Sequence, residues 1–210
     1  MTDETNKTVF ETIDGQPIDR NPVKQFQRWF EEAKAAGLPL PEAMTLATAT
    51  PEGRPSARMV LLKQLDERGF VFFTNYRSAK AHELDINPYA SLVFFWPQLE
   101  RQVRIDGKVV RTSAEESRQY FETRPRESQI GAWASNQSEV ISGREVLEQR
   151  KAELENQYLD RPVEWPKHWG GYILRPDRIE FWKGRTGRLH DRILYERELG
   201  NTWIIKRLAP

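Results

Sequence analysis

There is no cysteine among the 210 residues. Disulfides, thiolate nucleophiles and cysteine-held zinc or iron–sulfur centres are therefore excluded. Histidine is also scarce: His82, His168 and His190 lie far apart, with no H-E-x-x-H or H-x-H spacing, so no histidine-based metal site is expected. Neither G-x-G-x-x-G nor G-x-x-x-x-G-K-[ST] occurs, which removes the dinucleotide fingerprint and the Walker loop. A bound phosphate must then be gripped by side chains more than by a glycine-rich loop. His190-Asp191 does not make a hydrolase triad, because neighbouring strand residues point apart and no G-x-S-x-G is present.

Charge of one sign is lacking too. With 32 basic and 31 acidic residues the net charge is +1, too balanced for a general nucleic-acid binder. Any anion must be met by a local cluster. The longest apolar run, around Leu92 to Trp96, is far too short to cross a bilayer. The first residues, MTDETNKT, are polar and acidic and carry no apolar signal-peptide core. A soluble, cytoplasmic protein is the expectation.

The seven tryptophans, several of them among arginines, favour a flat ligand or a large subunit interface. Residues 1–20 lack periodicity and read as a flexible N-terminal arm, leaving 21–210 as one domain. Asn21-Pro22 opens a helix, since Asn caps well and Pro suits the first helical position. Val23, Phe26, Trp29, Phe30 and Ala33 form its apolar stripe, read as core, and Gly37 ends it. Strands follow over Ala43 to Thr50, Ala57 to Gln64, Phe70 to Asn75 and Ala90 to Trp96, with a short helix from Ser78 to Asp85. Gln102 to Thr112 reads as a bent pair of strands around Gly107. Ser113–Glu116 and Ser142–Glu145 both have capping-box spacing and open helices, the second ending before Pro162. Gly171 to Leu174, Arg178 to Trp182 and His190 to Arg197 close the chain as strands, and Thr202 to Arg207 adds a further candidate. Short strands at hairpin spacing with a few helices predict an α+β fold, mainly antiparallel, as a barrel or sandwich with peripheral helices.

Three groups of residues carry candidate chemistry. Arg188, His190 and Arg192 alternate with Leu189, Asp191 and Ile193, so one strand would project them together. Such a face lies in water or meets an anion, and Trp182, across a loop holding Gly184 and Gly187, suits a flat one. Arg58 and Lys63 end an apolar strand, near Thr74, Ser78 and Lys80. Five apart, they fall on opposite faces of a regular strand unless a bulge intervenes. Tyr120, Arg124 and Ser128 recur at a spacing of four, so a helix through them would line up a phosphate grip, although Pro125 interrupts it. Solvated strand ends and a helix junction with surface arginines are the plain alternatives.

Taken in order, RMVLLK (58–63), FFTN with SAKA (78–81), ERQVRIDG (100–107), YFETRPRESQIGAW (120–133), NQS (136–138), WGGY (169–172), IEFWKG (179–184), RLHDR (188–192) and RLAP (207–210) resemble the pyridoxine (pyridoxamine) 5′-phosphate oxidase family. The resemblance implies a split β-barrel of the FMN-binding type, working as a homodimer with FMN in clefts at the subunit interface. It implies that Arg58 and Lys80 hold the FMN phosphate, and that Met59, Val60, Leu61, Leu62, Lys63, Phe73 and Thr74 line the flavin. Gln102, Gln137, Ser138, Trp182 and Arg192 complete that site. Lys63, Tyr120, Arg124 and Ser128 would grip the substrate phosphate, with Arg188 and His190 as the catalytic pair over the pyridine ring. The implied reaction is oxidation of pyridoxamine or pyridoxine 5′-phosphate to pyridoxal 5′-phosphate, with O2 as acceptor and H2O2 as product. No metal, nucleic acid or membrane is implied. A non-catalytic flavin or pyridoxal-phosphate binder, or a flavin reductase, would be the other uses of this scaffold.

Two departures stand out. The family often has Ser-Arg-Lys where this chain has Ser78-Ala79-Lys80, so Arg77 is the candidate to compensate. An Arg-Arg-Glu-Tyr stretch that some members fold over the substrate is absent from residues 1–20.

Overall fold

Asn21 starts the first long helix as its sequence demands. Its side-chain oxygen accepts from the backbone N–H of Val23 at 2.9 Å and of Lys24 at 3.4 Å, and Pro22 fills the first turn. The structure, a computed structural model, describes residues 12–200 and 202–210. In chain order the elements are β1 (Thr12–Ile13), β2 (Gln16–Pro17), α1 (Pro22–Ala35), β3 (Ala43–Ala49), β4 (Pro55–Leu61), β5 (Gln64–Asp66), β6 (Gly69–Asn75), α2 (Ala79–Ile86), β7 (Tyr89–Trp96), β8 (Arg101–Arg111), α3 (Ala114–Thr123), α4 (Arg126–Ala134), α5 (Arg144–Gln157), β9 (Trp169–Lys183), β10 (Asp191–Arg197) and β11 (Trp203–Arg207).

Nine strands form one antiparallel sheet in the order β11-β10-β9-β8-β7-β3-β4, with β6 on β9 and β5 on β6. The sheet curls so that β4 touches β6, giving a barrel. Its interior is filled by alternate side chains, among them Met44, Leu46, Phe72, Leu92, Val103, Ile105 and Ile179. Helix α1 plugs one end. Phe26 meets Phe70 edge-on at 4.9 Å, and Trp29 meets Phe181 at 5.3 Å. Each such ring contributes roughly 1.5–3 kcal/mol by burial. A second, smaller core of Phe121, Ile130, Tyr158, Val163 and Trp169 sets the α3–α5 layer against the barrel wall.

β9 is the strand that makes the barrel a split one. Its first half pairs with β6 along one edge, its second half pairs with β10 along that same edge, and β8 runs along the other. The handover falls at Pro176, whose partner Gly107 sits at a register shift in β8. Proline has no N–H to give a ladder, and a bulge is where a strand tolerates that loss. Gly107 is required there, because a Cβ would lie 2.0 Å from the backbone oxygen of Arg175. The expected pairs of shorter strands over Gln102 to Thr112 and Gly171 to Trp182 are therefore two continuous strands. Gly107 and Pro176 are local break signals that the long β8–β9 ladder overrides.

Other boundaries also moved. The strand expected over Ala57 to Gln64 stops at Leu61 and resumes as β5, after a bend at Leu62 and Lys63. The helix through Tyr120, Arg124 and Ser128 is two helices. Arg124 caps α3 with extended backbone (ψ 148°) and Pro125 leads into α4, as the residue before a proline prefers. The Ser113–Glu116 capping box forms, but the one expected at Ser142 does not: α5 starts from Gly143, which offers no capping side chain. Residues 12–20, expected within the mobile arm, include a short hairpin that buries Ile13, and Asp19 accepts a 2.7 Å hydrogen bond from the Tyr195 hydroxyl. The rest of that arm, residues 1–11, lies outside the described residues. Among the described residues, no helix is long and apolar enough to cross a membrane.

Candidate active site

A cavity of about 760 Å³ opens where β4, β6, α2 and the α3–α4 junction converge. Among the described residues β4 is an edge strand, paired with β3 alone; the ladder turns the backbone N–H and C=O of Val60 toward β3 and leaves those of Met59 and Leu61 on the outer side, available to a ligand. Arg58 and Lys63 both reach this cavity. The break after Leu61 frees Lys63 from strand alternation, and its N–H pairs instead with Val71 O at 2.9 Å. Phe73 and Thr74 enter from β6, Lys80 from α2, Tyr120 from α3, Ser128 from α4, and Gln137 and Ser138 from the loop beyond. Leu62, expected to line the flavin, turns into the core at 7% exposure and does not line the cavity.

The α2 end of the cavity carries an unmet demand for an anion. Lys80 is 8% exposed, and among the described residues its ammonium donates only to neutral oxygens: Gln137 Oε1 at 2.7 Å, Thr74 Oγ1 at 3.2 Å and Ser78 Oγ at 3.2 Å. Burial, and after it the neighbouring Arg58, bring its pKa down to about 8, with Glu83 opposing. Arg58 itself is held by Thr48 Oγ1 at 2.5 Å, Ser56 Oγ at 2.9 Å and Glu83 Oε2 at 3.2 Å. Burial pushes the Glu83 carboxyl up, but hydrogen bonds from Ser56, Thr48 and Arg58 outweigh it and leave the group below its ordinary value. Ser138 sits at φ 76° and accepts the first N–H of α2, from Ala79, at 3.1 Å. A left-handed serine is strained by roughly 1–3 kcal/mol, and such strain gathers at ligand sites. Arg77 does not enter this cavity. It lines an adjoining cleft of about 410 Å³ with Ala79, His82 and Ser138.

The α3–α4 end makes a second demand. Arg124 lies 4.4 Å over the Trp169 ring, and one of its buried terminal nitrogens has no hydrogen-bond partner among the described residues. Burial lowers the Arg124 pKa, countered by Tyr120, and burial raises that of Tyr120, countered by Arg124. The guanidinium stays charged regardless. Phe73 stacks on Tyr120 at 3.9 Å and on Trp169 at 5.4 Å, giving a nearly parallel aromatic wall. Trp169, Asn75, Gly131, Ala132 and Ser135 also line the cavity, beyond the residues that the resemblance implies, as does Ala79, which stands at the position of the family arginine. All but Ser135 fall within the stretches that carry the resemblance: Asn75 in FFTN, Ala79 in SAKA, Gly131 and Ala132 in YFETRPRESQIGAW and Trp169 in WGGY.

Five expected residues lie elsewhere. Gln102, Trp182 and Arg192 form a row across β8, β9 and β10, one residue per strand, on the outer face of the sheet. Trp169 and Trp182 stand near opposite ends of β9, which as 15 residues spans roughly 50 Å when straight. Arg192 donates to Glu180 at 2.8 and 3.1 Å and to Ala209 O at 2.9 Å. The expected strand face of three cations is not formed, because β10 begins only at Asp191. Arg188 lies in a 3₁₀ turn at φ 61°, and His190 follows it, its ring 4.7 Å from Trp182. His190 Nδ1 accepts from the Arg185 N–H at 3.1 Å, which leaves Nε2 to carry the proton of a neutral ring. Exposed apolar side chains flank this row: Phe95, opposite Gln102, at 58%, and Leu189, next to His190 in the chain, at 74%.

The cavity suits a flavin mononucleotide. Lys80 is a buried ammonium that no carboxylate hydrogen-bonds among the described residues, Phe73 gives an aromatic wall, and the β4 edge offers backbone donors and acceptors to a heteroaromatic rim. Among the described residues no group of three or more metal-ligating side chains could hold a metal ion.

Comparisons with known proteins agree with this chemistry. The family described as pyridoxamine 5′-phosphate oxidase matches residues 30–158, and the pyridoxine 5′-phosphate oxidase C-terminal dimerisation region matches residues 169–210. A pyridoxine/pyridoxamine 5′-phosphate oxidase of Rubrobacter xylanophilus is 62% identical over 192 residues, 91% of this chain and 88% of that protein. One from Trichormus variabilis is 57% identical over 202 residues, covering 96% and 94%. Among solved structures, PhzG from Burkholderia lata 383, in complex with tetrahydrophenazine-1-carboxylic acid, superposes with a TM-score of 0.87 at 34% identity, covering 91% of this chain and 94% of that one. An FMN-binding protein of Nostoc punctiforme shares the fold at a TM-score of 0.70 and 20% identity, covering 90% and 98%. With its split barrel, its dimerisation region and a cavity fit for FMN, the chain belongs to the pyridoxine/pyridoxamine 5′-phosphate oxidase family of FMN-dependent oxidoreductases.

Proposed function

We propose that this chain oxidises pyridoxamine or pyridoxine 5′-phosphate at the 4′ carbon to pyridoxal 5′-phosphate, with O2 as the acceptor. Residues 21–210 work as one unit, and two copies build each site. The observation that carries the reading is the pair of unanswered cationic demands in one cavity: Lys80 at the α2 end and Arg124 at the α3–α4 end. A flavin alone supplies one phosphate. A second phosphate, on the substrate, answers the other.

Arg58, Lys80 and Ser138 then hold the FMN phosphate, with Thr74 and Gln137 bracing the Lys80 ammonium. Met59, Val60 and Leu61 border the flavin rim, and Phe73 walls it. Lys63, Tyr120, Arg124 and Ser128 grip the substrate phosphate through charge-assisted hydrogen bonds, each worth roughly 1.5–3 kcal/mol. Gln102, Trp182, Arg188, His190 and Arg192 do not line this copy's own cavity, and all lie on β8 or within the segment matched to the dimerisation region. A second copy therefore presents them, its exposed Phe95 and Leu189 becoming covered. Gln102, Trp182 and Arg192 complete the flavin pocket. Arg188 and His190 close over the pyridine ring, fix its angle and stabilise the charge that develops as the C4′ hydrogen departs. FMN, when bound, would supply the two-electron acceptor for that hydride and its return by O2 to the oxidised form with H2O2 as product. With the amine substrate the imine product takes up water and releases ammonia.

The test is spectroscopic. The purified protein should be yellow, bleach when pyridoxamine 5′-phosphate is added without oxygen, and regain its colour with air as H2O2 appears. A flavin spectrum indifferent to the substrate would sink the proposal and favour a binding protein or reductase.

A further inference from the structure

The segment 184–190 presents Arg188 and His190, yet its own hydrogen bonds do not account for its shape. Its internal backbone bond, from Leu189 N–H to Thr186 O, is long at 3.4 Å, and Gly187 and Arg188 are both left-handed at φ 66° and 61°. Residues 185–189 are exposed. What joins the two ends of the segment is Asp191. Arg185 Nε donates to its Oδ2 at 2.8 Å, and an Arg207 terminal nitrogen donates to its Oδ1 at 2.7 Å. Arg185 is also the residue whose backbone N–H meets His190 Nδ1. Both arms are anchored further out. Arg207 donates to Thr12 O at 2.6 Å, and Arg185 lies 3.7 Å from Asp14, so the clamp leans on the β1–β2 hairpin.

We propose that Asp191 is a positioning residue for the oxidation: by holding Arg185 it fixes the His190 imidazole in one tautomer and the turn that bears Arg188. It acts through Arg185, since no hydrogen bond or ion pair joins Asp191 to Arg188 or His190 among the described residues. Burial pushes the Asp191 carboxyl up, but hydrogen bonds from Arg185 and Arg207 outweigh it, so the group stays ionised at neutral pH. The inference rests on the proposed roles of Arg188 and His190.

The experiment compares Asp191→Asn, Asp191→Glu, Arg185→Ala and Arg188→Ala as FMN-loaded proteins. Asp191→Asn and Arg185→Ala should lower kcat roughly 10- to 100-fold, because small misplacements near the chemistry have effects of that size. KM should change less, and FMN Kd should stay within about twofold. Asp191→Glu should recover part of the loss, and the Asp191→Asn/Arg185→Ala double variant should be no worse than the worse single, since both break one linkage. Nitrogen NMR of the imidazole rings supplies a second readout. The chain has three histidines, so the His190 signals are identified by their disappearance in His190→Gln. The unaltered protein should show the Nε2–H form alone, and Asp191→Asn and Arg185→Ala a mixture. Wild-type kcat with an unmixed tautomer in both variants overturns the proposal. So does a loss of kcat that comes with an equal loss of FMN affinity, or that Asp191→Glu does not recover. If Asp191→Asn fails to fold, Arg185→Ala at the exposed arm decides alone. An inactive Arg188→Ala beside a normal Asp191→Asn sinks only this inference. A fully active Arg188→Ala removes the ring clamp on which it rests.

Discussion

Lys80 should make FMN affinity and the stability of the FMN-free protein move in opposite directions with pH. Burial and Arg58 bring its pKa from the ordinary 10.5 to about 8. Between those values the unfolded chain holds a proton that the folded chain has lost, so the FMN-free fold gains stability as pH rises through that window. Binding runs the other way. The FMN phosphate carries close to two charges above pH 7, its second pKa lying near 6, and it needs the ammonium. In the complex it returns the proton to Lys80. If the pKa of the complex lies above the range measured, Kd scales as one plus ten to the power of pH minus 8. That factor is about 1.1 at pH 7 and about 33 at pH 9.5, a weakening of roughly 30-fold or about 2 kcal/mol. Quenching of flavin fluorescence at half-unit steps from about pH 7 to 9.5 measures it directly. Wild type should approach a tenfold rise in Kd per pH unit, while Lys80→Met should bind weakly and without slope. The urea midpoint of the FMN-free wild type should meanwhile climb relative to that of Lys80→Met. A wild-type Kd that is level to pH 9.5, or a slope that survives in Lys80→Met, refutes Lys80 as the titrating partner of the phosphate.

Three further outcomes are expected. Arg124→Met should raise KM for pyridoxamine 5′-phosphate roughly 10- to 150-fold, the loss of one charge-assisted bond, and leave FMN Kd alone; an unchanged KM would remove Arg124 from the substrate grip. Arg77→Ala should weaken FMN binding if Arg77, at the cleft beside Ala79, stands in for the family arginine, and an unchanged Kd discards that role. Gly107→Ala should lower the Tm of the FMN-free protein by about 4–8 °C, because its Cβ would meet the Arg175 backbone oxygen at 2.0 Å and relief at a cost of roughly 2 kcal/mol must come from two paired strands. A Tm within about 1 °C of wild type would mean that the bulge yields freely.

Residues whose behaviour is set within a turn or two were legible in the sequence. Asn21-Pro22 and the Ser113–Glu116 box act through their own backbone neighbours, and both form as read. Gly107 and Pro176 also send strong local signals, but what they do depends on a partner strand some 70 residues away, so in sequence two bulge positions look like strand ends. The cavity was legible in composition and not in geometry. Lys63 joins Arg58 because the strand stops at Leu61, and Ser128 joins Tyr120 and Arg124 across a helix break. Glu83 and Glu180, which hold Arg58 and Arg192, went unnoticed, since a carboxylate on a helix or strand looks like any solvated one until its partner is placed. The same holds for Arg188 and His190: alternation put them on a strand face with Arg192, whereas consecutive left-handed residues at 187 and 188 end the alternation before the strand begins.

The reach of β9 has a genetic corollary. With Trp169 in one cavity and Trp182 presented to another, each chain contributes half of two sites in the proposed dimer. A chain broken at Arg124 keeps a sound 188–190 segment, and a chain broken at Arg188 keeps a sound cavity. Mixed together, the two dead proteins assemble a heterodimer in which one site collects both injuries and the other collects none. Crosses between two inactive alleles of this gene should therefore complement when the lesions lie at opposite ends of β9, and fail to do so when they share an end.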